Sequence, residues 1–221
     1  QLYEGIEIKG HGTIGLVSYI RTDSVRISDE AKAQAREYIL EKMGEEYYSN
    51  NIYKNRKGDV QDAHEAIRPS HIELEPDEIK DSLSRDQYKL YKLIWNRFLA
   101  SQIAPARFKA VNAGISNGDY LFKATGSKLI FDGFLKVYQQ GKDGEENNLL
   151  PHLEKGEQLE LVKVEGTQNF TQPPARFTEA SLVKDLEDKD IGRPSTYAPI
   201  VATLMDRKYV TKDKKSLMPT E

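Results

Sequence analysis

The sequence contains no cysteine among its 221 residues. That absence excludes disulfides, zinc ribbons and cysteine nucleophiles, and it permits a reducing, cytoplasmic setting. Long hydrophobic runs are missing as well: apolar residues make up 38% of the chain and charged residues 30%. No apolar stretch approaches the roughly 20 residues that a membrane-spanning helix needs, and none reads as a secretory signal. No Gly-x-x-x-x-Gly-Lys phosphate loop is present, and no long internal repeat is apparent. Basic charge is not in excess, with 32 Lys and Arg against 35 Asp and Glu and a net charge of −3. Such a balance argues against a surface that grips nucleic acid everywhere, yet it leaves room for a local basic groove. The length accommodates two ordinary domains or one large one. Gln1 in place of methionine and the abrupt end at Pro219-Thr220-Glu221 suggest an excised piece of a longer protein.

What is present is concentrated in three stretches. The first is Gly15-Leu16-Val17-Ser18-Tyr19-Ile20-Arg21-Thr22-Asp23-Ser24. Tyrosine is a potential nucleophile, but an ordinary phenol has a pKa of about 10 and needs assistance at neutral pH. An arginine is always cationic and holds phosphate oxygens through a planar fork of donors, so Arg21 is suited to positioning a phosphodiester and offsetting its transition-state charge. In an extended segment residues i and i+2 share a side, which would put Tyr19 and Arg21 together. The plain alternative is an edge-strand tyrosine beside a surface arginine.

The second stretch is Gln61-Asp62-Ala63-His64-Glu65-Ala66-Ile67-Arg68-Pro69-Ser70. His64-Glu65 invites a zinc-protease reading, which fails because Arg68 stands where the second histidine is required. On one helical turn His64 and Arg68 would share a face, an arrangement better suited to an anion than a cation. The alternatives are a loop histidine held by Glu65 or Asp62, and His71 has an equal claim by composition.

Between and after these motifs the pattern supplies scaffold. Ser28 reads as the cap of a helix running to Met43, with Gly44 as its stop. Residues 54–58 form a basic, exposed loop. A helical apolar stripe begins near Pro76 and includes Tyr88, Tyr91, Trp95, Phe98 and Leu99. Strands are expected over 108–115 and 119–125 around the turn Asn117-Gly118-Asp119, then from 129 towards 138, with another alternating strand over 159–164. An acidic and amide-rich loop covers 141–148.

The third stretch runs from Gln172-Pro173-Pro174 to Ile191-Gly192-Arg193-Pro194-Ser195-Thr196-Tyr197-Ala198-Pro199. Thr178 or Ser181 is expected to cap one helix and Ser195 or Thr196 a second, with Pro199 in its first turn. A capped helix start directly after Gly-Arg is a natural phosphate site. Helix, tight turn, helix and then Tyr209-Val210 also fits a nonenzymatic winged-helix DNA-binding module. The acidic string 185–190 reads as solvated surface.

In this order the three motifs resemble those of the type IA DNA topoisomerases, the bacterial members in particular: Val17 to Ser24 resembles the active-site tyrosine motif, Ala63 to Pro69 the histidine motif, and Pro173 to Ala198 the long signature. The resemblance implies an α+β multidomain architecture, part of the family's torus, with a helical tyrosine domain over 1–104, a β-rich arch segment over 105–170 and a helical, winged-helix-like DNA-binding segment over 171–221. It implies that Tyr19 attacks a phosphodiester of single-stranded DNA to leave a 5′-phosphotyrosyl link, relaxing negative supercoils without ATP. Arg21 would stabilise the pentavalent phosphate and His64 would orient or help protonate groups near the scissile site. Arg21, Arg68, Arg193, Ser195, Thr196 and Arg207 would contact DNA. The resemblance further implies a magnesium ion held by an acidic Toprim domain upstream of the tyrosine. Residues 1–18 leave no room for that domain, so no metal site is expected here, and this piece alone should not relax supercoils. The implied parent is a monomer acting on single-stranded or negatively supercoiled DNA in the nucleoid-associated cytoplasm. A reverse gyrase or a eukaryotic-type topoisomerase III would share the chemistry.

Overall fold

The computed structural model describes residues 1–21, 24–53, 64–139 and 149–220. The basic loop 54–58, Thr22 and Asp23 of the tyrosine stretch, residues 61–63 and the polar loop 141–148 lie outside the described residues. The chain divides into two compact units, Gln1–Gln158 and Leu159–Glu221.

The first unit is built on two helices. Helix α1 (Asp29–Lys42) starts where Ser28 Oγ accepts the Ala31 amide at 3.3 Å, and Asp29 and Glu30 place negative charge at its positive end. Ala31, Ala35 and Ile39, four residues apart, form its buried line, and Gly44 follows with φ +103°. Helix α2 (Arg85–Gln102) carries the apolar stripe read from the sequence, with Tyr91, Trp95, Phe98 and Leu99 buried. It begins later than the pattern from Pro76 implies. Ser84 and Gln87 form a reciprocal capping box that sets its start, and the preceding residues make turns and a short 3₁₀ helix, Lys80–Ser82.

The segment preceding α2 is tied to both helices through the polar ends of their aromatics. Tyr91 donates to the Leu74 carbonyl at 2.8 Å and Trp95 Nε1 to the Ile72 carbonyl at 3.0 Å. Tyr38 of α1 packs edge-on against Trp95 and donates to Glu75 at 2.7 Å. Burial is the first cause that pushes both the Tyr38 and Tyr91 phenols above the usual tyrosine range, so these rings are structural donors.

An exposed tie joins the same segment to α2. Lys92 donates to both Asp77 oxygens, at 2.9 and 2.8 Å, and Tyr88 donates to Asp77 as well. These bonds, that from Lys92 first, hold the Asp77 carboxyl below the usual range. Its stabilising contribution is therefore full above the unfolded carboxyl value of about 4 and is lost as pH falls through the lowered folded value. Asp77→Asn should cost a few tenths of a kcal/mol in denaturant melts at neutral pH, since the pair is exposed, and the difference from the parent should shrink as pH falls through the lowered folded value.

The strands are local. Strands β1 (Ile6–Ile8) and β2 (Gly12–Ile14) pair antiparallel, as do β3 (Arg107–Asn117) and β4 (Tyr120–Phe131). The two strands expected over 119–125 and from 129 are one continuous strand that ends at Phe131, followed by a 3₁₀ turn, Gly133–Lys136, in place of further strand. The base of this hairpin is anchored by Phe131 against Tyr47 at 4.9 Å and by Tyr47 donating to Asp132 at 2.7 Å.

The second unit corrects three expectations. Residues 159–164 form no strand, and Val162 is 91% exposed. Their alternation is real, but a strand needs a partner edge, and no other described segment pairs with this one. Helix α3 (Glu179–Asp188) is capped by Thr178 with Ser181 reciprocating. Helix α4 (Pro194–Asp206) starts earlier than expected: Arg193 is its cap residue and Pro194 takes the first position, where a missing amide hydrogen is harmless. Neither Ser195 nor Thr196 is the cap, and Pro199 falls inside the helix, where it cannot donate to the Ser195 carbonyl. The hairpin of β5 (Val210–Asp213) and β6 (Ser216–Pro219) follows, and a bridge between Thr178 and Ser216 with the Leu217 amide on the Phe177 carbonyl ties it to the start of α3. Among the described residues no helix is long and apolar enough to cross a membrane.

Candidate active site

The tyrosine and histidine stretches are laced together along their backbones. Ser70 donates its amide to the Leu16 carbonyl at 2.9 Å, Ser18 donates its amide to the Arg68 carbonyl at 2.9 Å, and Val17 and Pro69 form an antiparallel bridge. The Ser18 side chain closes the seam from both sides: its hydroxyl donates to the Ala66 carbonyl at 3.0 Å and accepts the Arg68 amide at 2.9 Å. The Ala66 amide meanwhile reaches the Arg26 carbonyl at 2.8 Å. Because these amides bond across to other segments, residues 64–70 are not helical, which corrects the shared helical face proposed for His64 and Arg68.

This seam delivers two rings to one place. Tyr19 is 53% exposed, and the half-buried His64 stacks on it with ring centroids 6.0 Å apart and planes 27° apart. On another side Tyr3 meets Tyr19 edge-on at 5.5 Å. Tyr3 reaches that position because its carbonyl passes so close to Gly15 that a Cβ there would lie 2.6 Å from the oxygen, while the Leu16 amide donates to the Leu2 carbonyl at 2.7 Å. Any larger residue at 15 would push this turn, and Tyr3 with it, away from Tyr19. Arg21 is exposed two residues beyond Tyr19.

Arg68 is placed differently. Its Nε and a terminal nitrogen reach the same Glu65 oxygen at 3.0 and 2.9 Å, and the other terminal nitrogen donates to the Pro69 carbonyl at 3.1 Å. The guanidinium thus braces the histidine loop. His71 lies on the surface, 3.2 Å from Glu73.

In the second unit the remaining residues fall at two ends of one helix. Arg193, Ser195 and Thr196 are exposed at the start of α4, where Thr196 Oγ1 accepts the Arg193 amide at 2.8 Å and Gly192 turns with φ +85°. A Cβ on Gly192 would lie 3.0 Å from Thr196 Oγ1, so glycine is required for the turn to close onto the helix. Arg207 caps the other end of α4, roughly 20 Å away at 1.5 Å per residue, so a ligand touching both would have to run along the helix.

A family model described as DNA topoisomerase matches residues 1–221. The chain belongs to the bacterial type IA DNA topoisomerase family. Among solved structures, full-length topoisomerase I from Thermotoga maritima, in a monoclinic crystal form, is 42% identical with a TM-score of 0.84, covering 100% of this chain and 35% of that one. The chain therefore spans about a third of the length of that topoisomerase.

Within this member of the family, three site residues escaped the sequence reading. Ser18 and Gly15 lie inside the quoted tyrosine stretch, but nothing local marks them, since their partners Ala66, Arg68 and Tyr3 are distant in the chain. Tyr3 had no signal beyond its aromatic type. Among the described residues no group of three or more His, Cys, Asp or Glu side chains converges. The seam yields a direct test. Ser18→Ala leaves a carbonyl and an amide short of a partner, so stability should fall by about 1–3 kcal/mol in denaturant melts. Ser18→Thr, which keeps the hydroxyl, should retain most of that stability.

Proposed function

We propose that this chain is the tyrosine-bearing part of a topoisomerase that cuts and rejoins one DNA strand through a 5′-phosphotyrosine. Tyr19 Oη attacks the phosphorus; the P–O3′ bond breaks, the phenolic proton leaves, and the departing 3′ oxygen takes up a proton. The phosphodiester is exchanged for a phosphotyrosyl ester, so attack by the 3′ hydroxyl reverses the step without ATP. The observation that carries this reading is Tyr19, held half-exposed against His64 by the Ser18 seam in a chain that belongs to this family.

The surrounding residues take roles that suit their placement. His64 fixes the plane of the nucleophile's ring and offers a nitrogen near the reacting phosphate. Arg21 offsets charge on the pentavalent phosphorus. Arg193, Ser195, Thr196 and Arg207 hold the strand's backbone along α4, and Arg68 acts through Glu65 on the histidine loop. Magnesium, when bound by an acidic domain outside these residues, supplies charge neutralisation at the phosphate. A purely nonenzymatic winged-helix module leaves the tyrosine seam without a purpose.

The test is covalent capture. The chain, supplemented with a separately prepared acidic Toprim domain and magnesium, is incubated with single-stranded oligonucleotides labelled at one end or the other and resolved under denaturing conditions. The expected adduct retains the 3′-end label. An adduct that keeps the 5′-end label, or none under any supplementation, would refute the proposal.

A further inference from the structure

A concave surface lies in the first unit, and its lining includes neither Tyr19 nor His64. It is an open pocket of about 300 Å³ between α2 and the segment after β4, lined by Tyr88, Lys89, Lys92, Leu93, Asn96 and Tyr138 among others. The α2 residues are spaced by three and four, so they form one stripe beside the buried face of the helix. The opposite wall exists because Gly133 turns the chain with φ +49° and the Phe134 amide returns to the Ala104 carbonyl at 3.0 Å, bringing Tyr138 back against α2.

Cations and rings alternate around this pocket. Lys80 and Lys92 lie over the Tyr88 ring at 5.3 and 5.4 Å, and Arg97 lies over Tyr138 at 4.9 Å. The series continues with Lys136 over Tyr47 at 4.4 Å and Arg107 over Phe131 at 4.8 Å. Two carboxylates touch the series, Asp77 on Lys92 and Asp132 on Tyr47. The lining itself carries Lys89 and Lys92 and no carboxylate. Lys89 is exposed at the rim and, among the described residues, enters no ion pair. Its ammonium is therefore available to an anion.

The occupant must suit all of these groups together. A simple anion has no use for Leu93 and a tyrosine ring, and a cation is repelled by the lysines. An unpaired nucleotide has a flat apolar face, hydrogen-bonding edges for an amide such as Asn96, and a phosphate, and aromatic platforms flanked by cations are how single strands are held without sequence preference. The geometry points to an accessory site that seats one unpaired nucleotide of single-stranded DNA, its base against Leu93 and Tyr138 and its phosphate on Lys89. This rests on the reading that the substrate is single-stranded DNA, and it adds a contact that the motif residues do not supply.

Binding of a fluorescein-labelled oligothymidylate to the full chain, followed by anisotropy, tests it. Lys89→Glu and Leu93→Glu, both at exposed positions, should each weaken binding at least about fivefold near 0.1 M salt. Lys89→Glu should also lower the slope of log affinity against log salt by at least about 0.7, the value of one single-strand phosphate contact. Lys123→Glu on the exposed hairpin makes the same charge change elsewhere and should alter affinity less than about twofold. Thermal melts establish that each variant is folded. Equal weakening by Lys89→Glu and Lys123→Glu, no change in either pocket variant, or no binding by the parent chain overturns the site. The adduct assay on the same proteins separates the two claims: an adduct with unperturbed pocket variants sinks only the accessory site, and a working pocket without an adduct sinks only the nucleophile.

Discussion

Tyr19→Phe should remove the covalent DNA adduct to background while leaving the fold and the noncovalent affinity for single strands nearly unchanged. The substitution deletes one oxygen, the atom proposed to bond to phosphorus, and no neighbouring residue would replace it. The rest of the ring keeps its environment: the stack on His64 and the edge contact with Tyr3 are made by carbons that phenylalanine retains. With Tyr19 53% exposed, loss of its hydroxyl strands no buried partner, and the stability change should stay within about 0.5 kcal/mol. Denaturing gels of the captured complex, read beside melts of the same samples, check both halves. A phenylalanine variant that still traps DNA would place the nucleophile elsewhere.

Gly133→Ala should produce the largest loss of stability, roughly 3–5 kcal/mol in denaturant melts. Two costs combine. The backbone sits at φ +49°, a region that costs a non-glycine residue about 1 kcal/mol or more. A Cβ would also lie 2.4 Å from the Ala104 oxygen and 2.7 Å from both Pro105 C and O, and these are backbone atoms that cannot rotate aside. Relief requires parting the turn from the end of α2, which costs the Phe134–Ala104 hydrogen bond and loosens the wall that carries Tyr138. Gly10→Ala is the matched comparison, because Gly10 has φ +85° but nothing within 4 Å of a Cβ, so it should cost only about 1 kcal/mol. The tyrosine seam does not run through Gly133. Adduct formation per folded molecule should therefore survive in Gly133→Ala while the folded fraction falls, the reverse of the pattern expected for Tyr19→Phe.

These two cases show why legibility varied along the chain. Helix α1 was readable because Ser28, the acidic first turn, the helix-forming composition and Gly44 all act within a few residues of one another. The end of β4 was not, because Gly133 is required by a carbonyl nearly thirty positions earlier, at Ala104. The alternation over 159–164 is a strand's pattern, yet a strand is a property of two segments, and no described partner lies beside it. Arg68 looks like a ligand for phosphate by residue type; its contact with Glu65 was not announced by that type.

By itself, then, the sequence determined the chemistry on offer: a tyrosine with an arginine two residues on, a histidine stretch without metal-ligand spacing, and a glycine-arginine turn opening a helix, in an order that resembles one family. Tertiary structure alone decided how those groups are presented. It chose Ser18 as the clamp, set His64 against Tyr19, and gathered lysines and tyrosines into a pocket that no motif announces. The physical reason is range: capping, turn and periodicity effects act over a few residues and leave a local trace, whereas ring stacking, cross-segment hydrogen bonds and close backbone approach join residues whose separation along the chain carries no information about their distance.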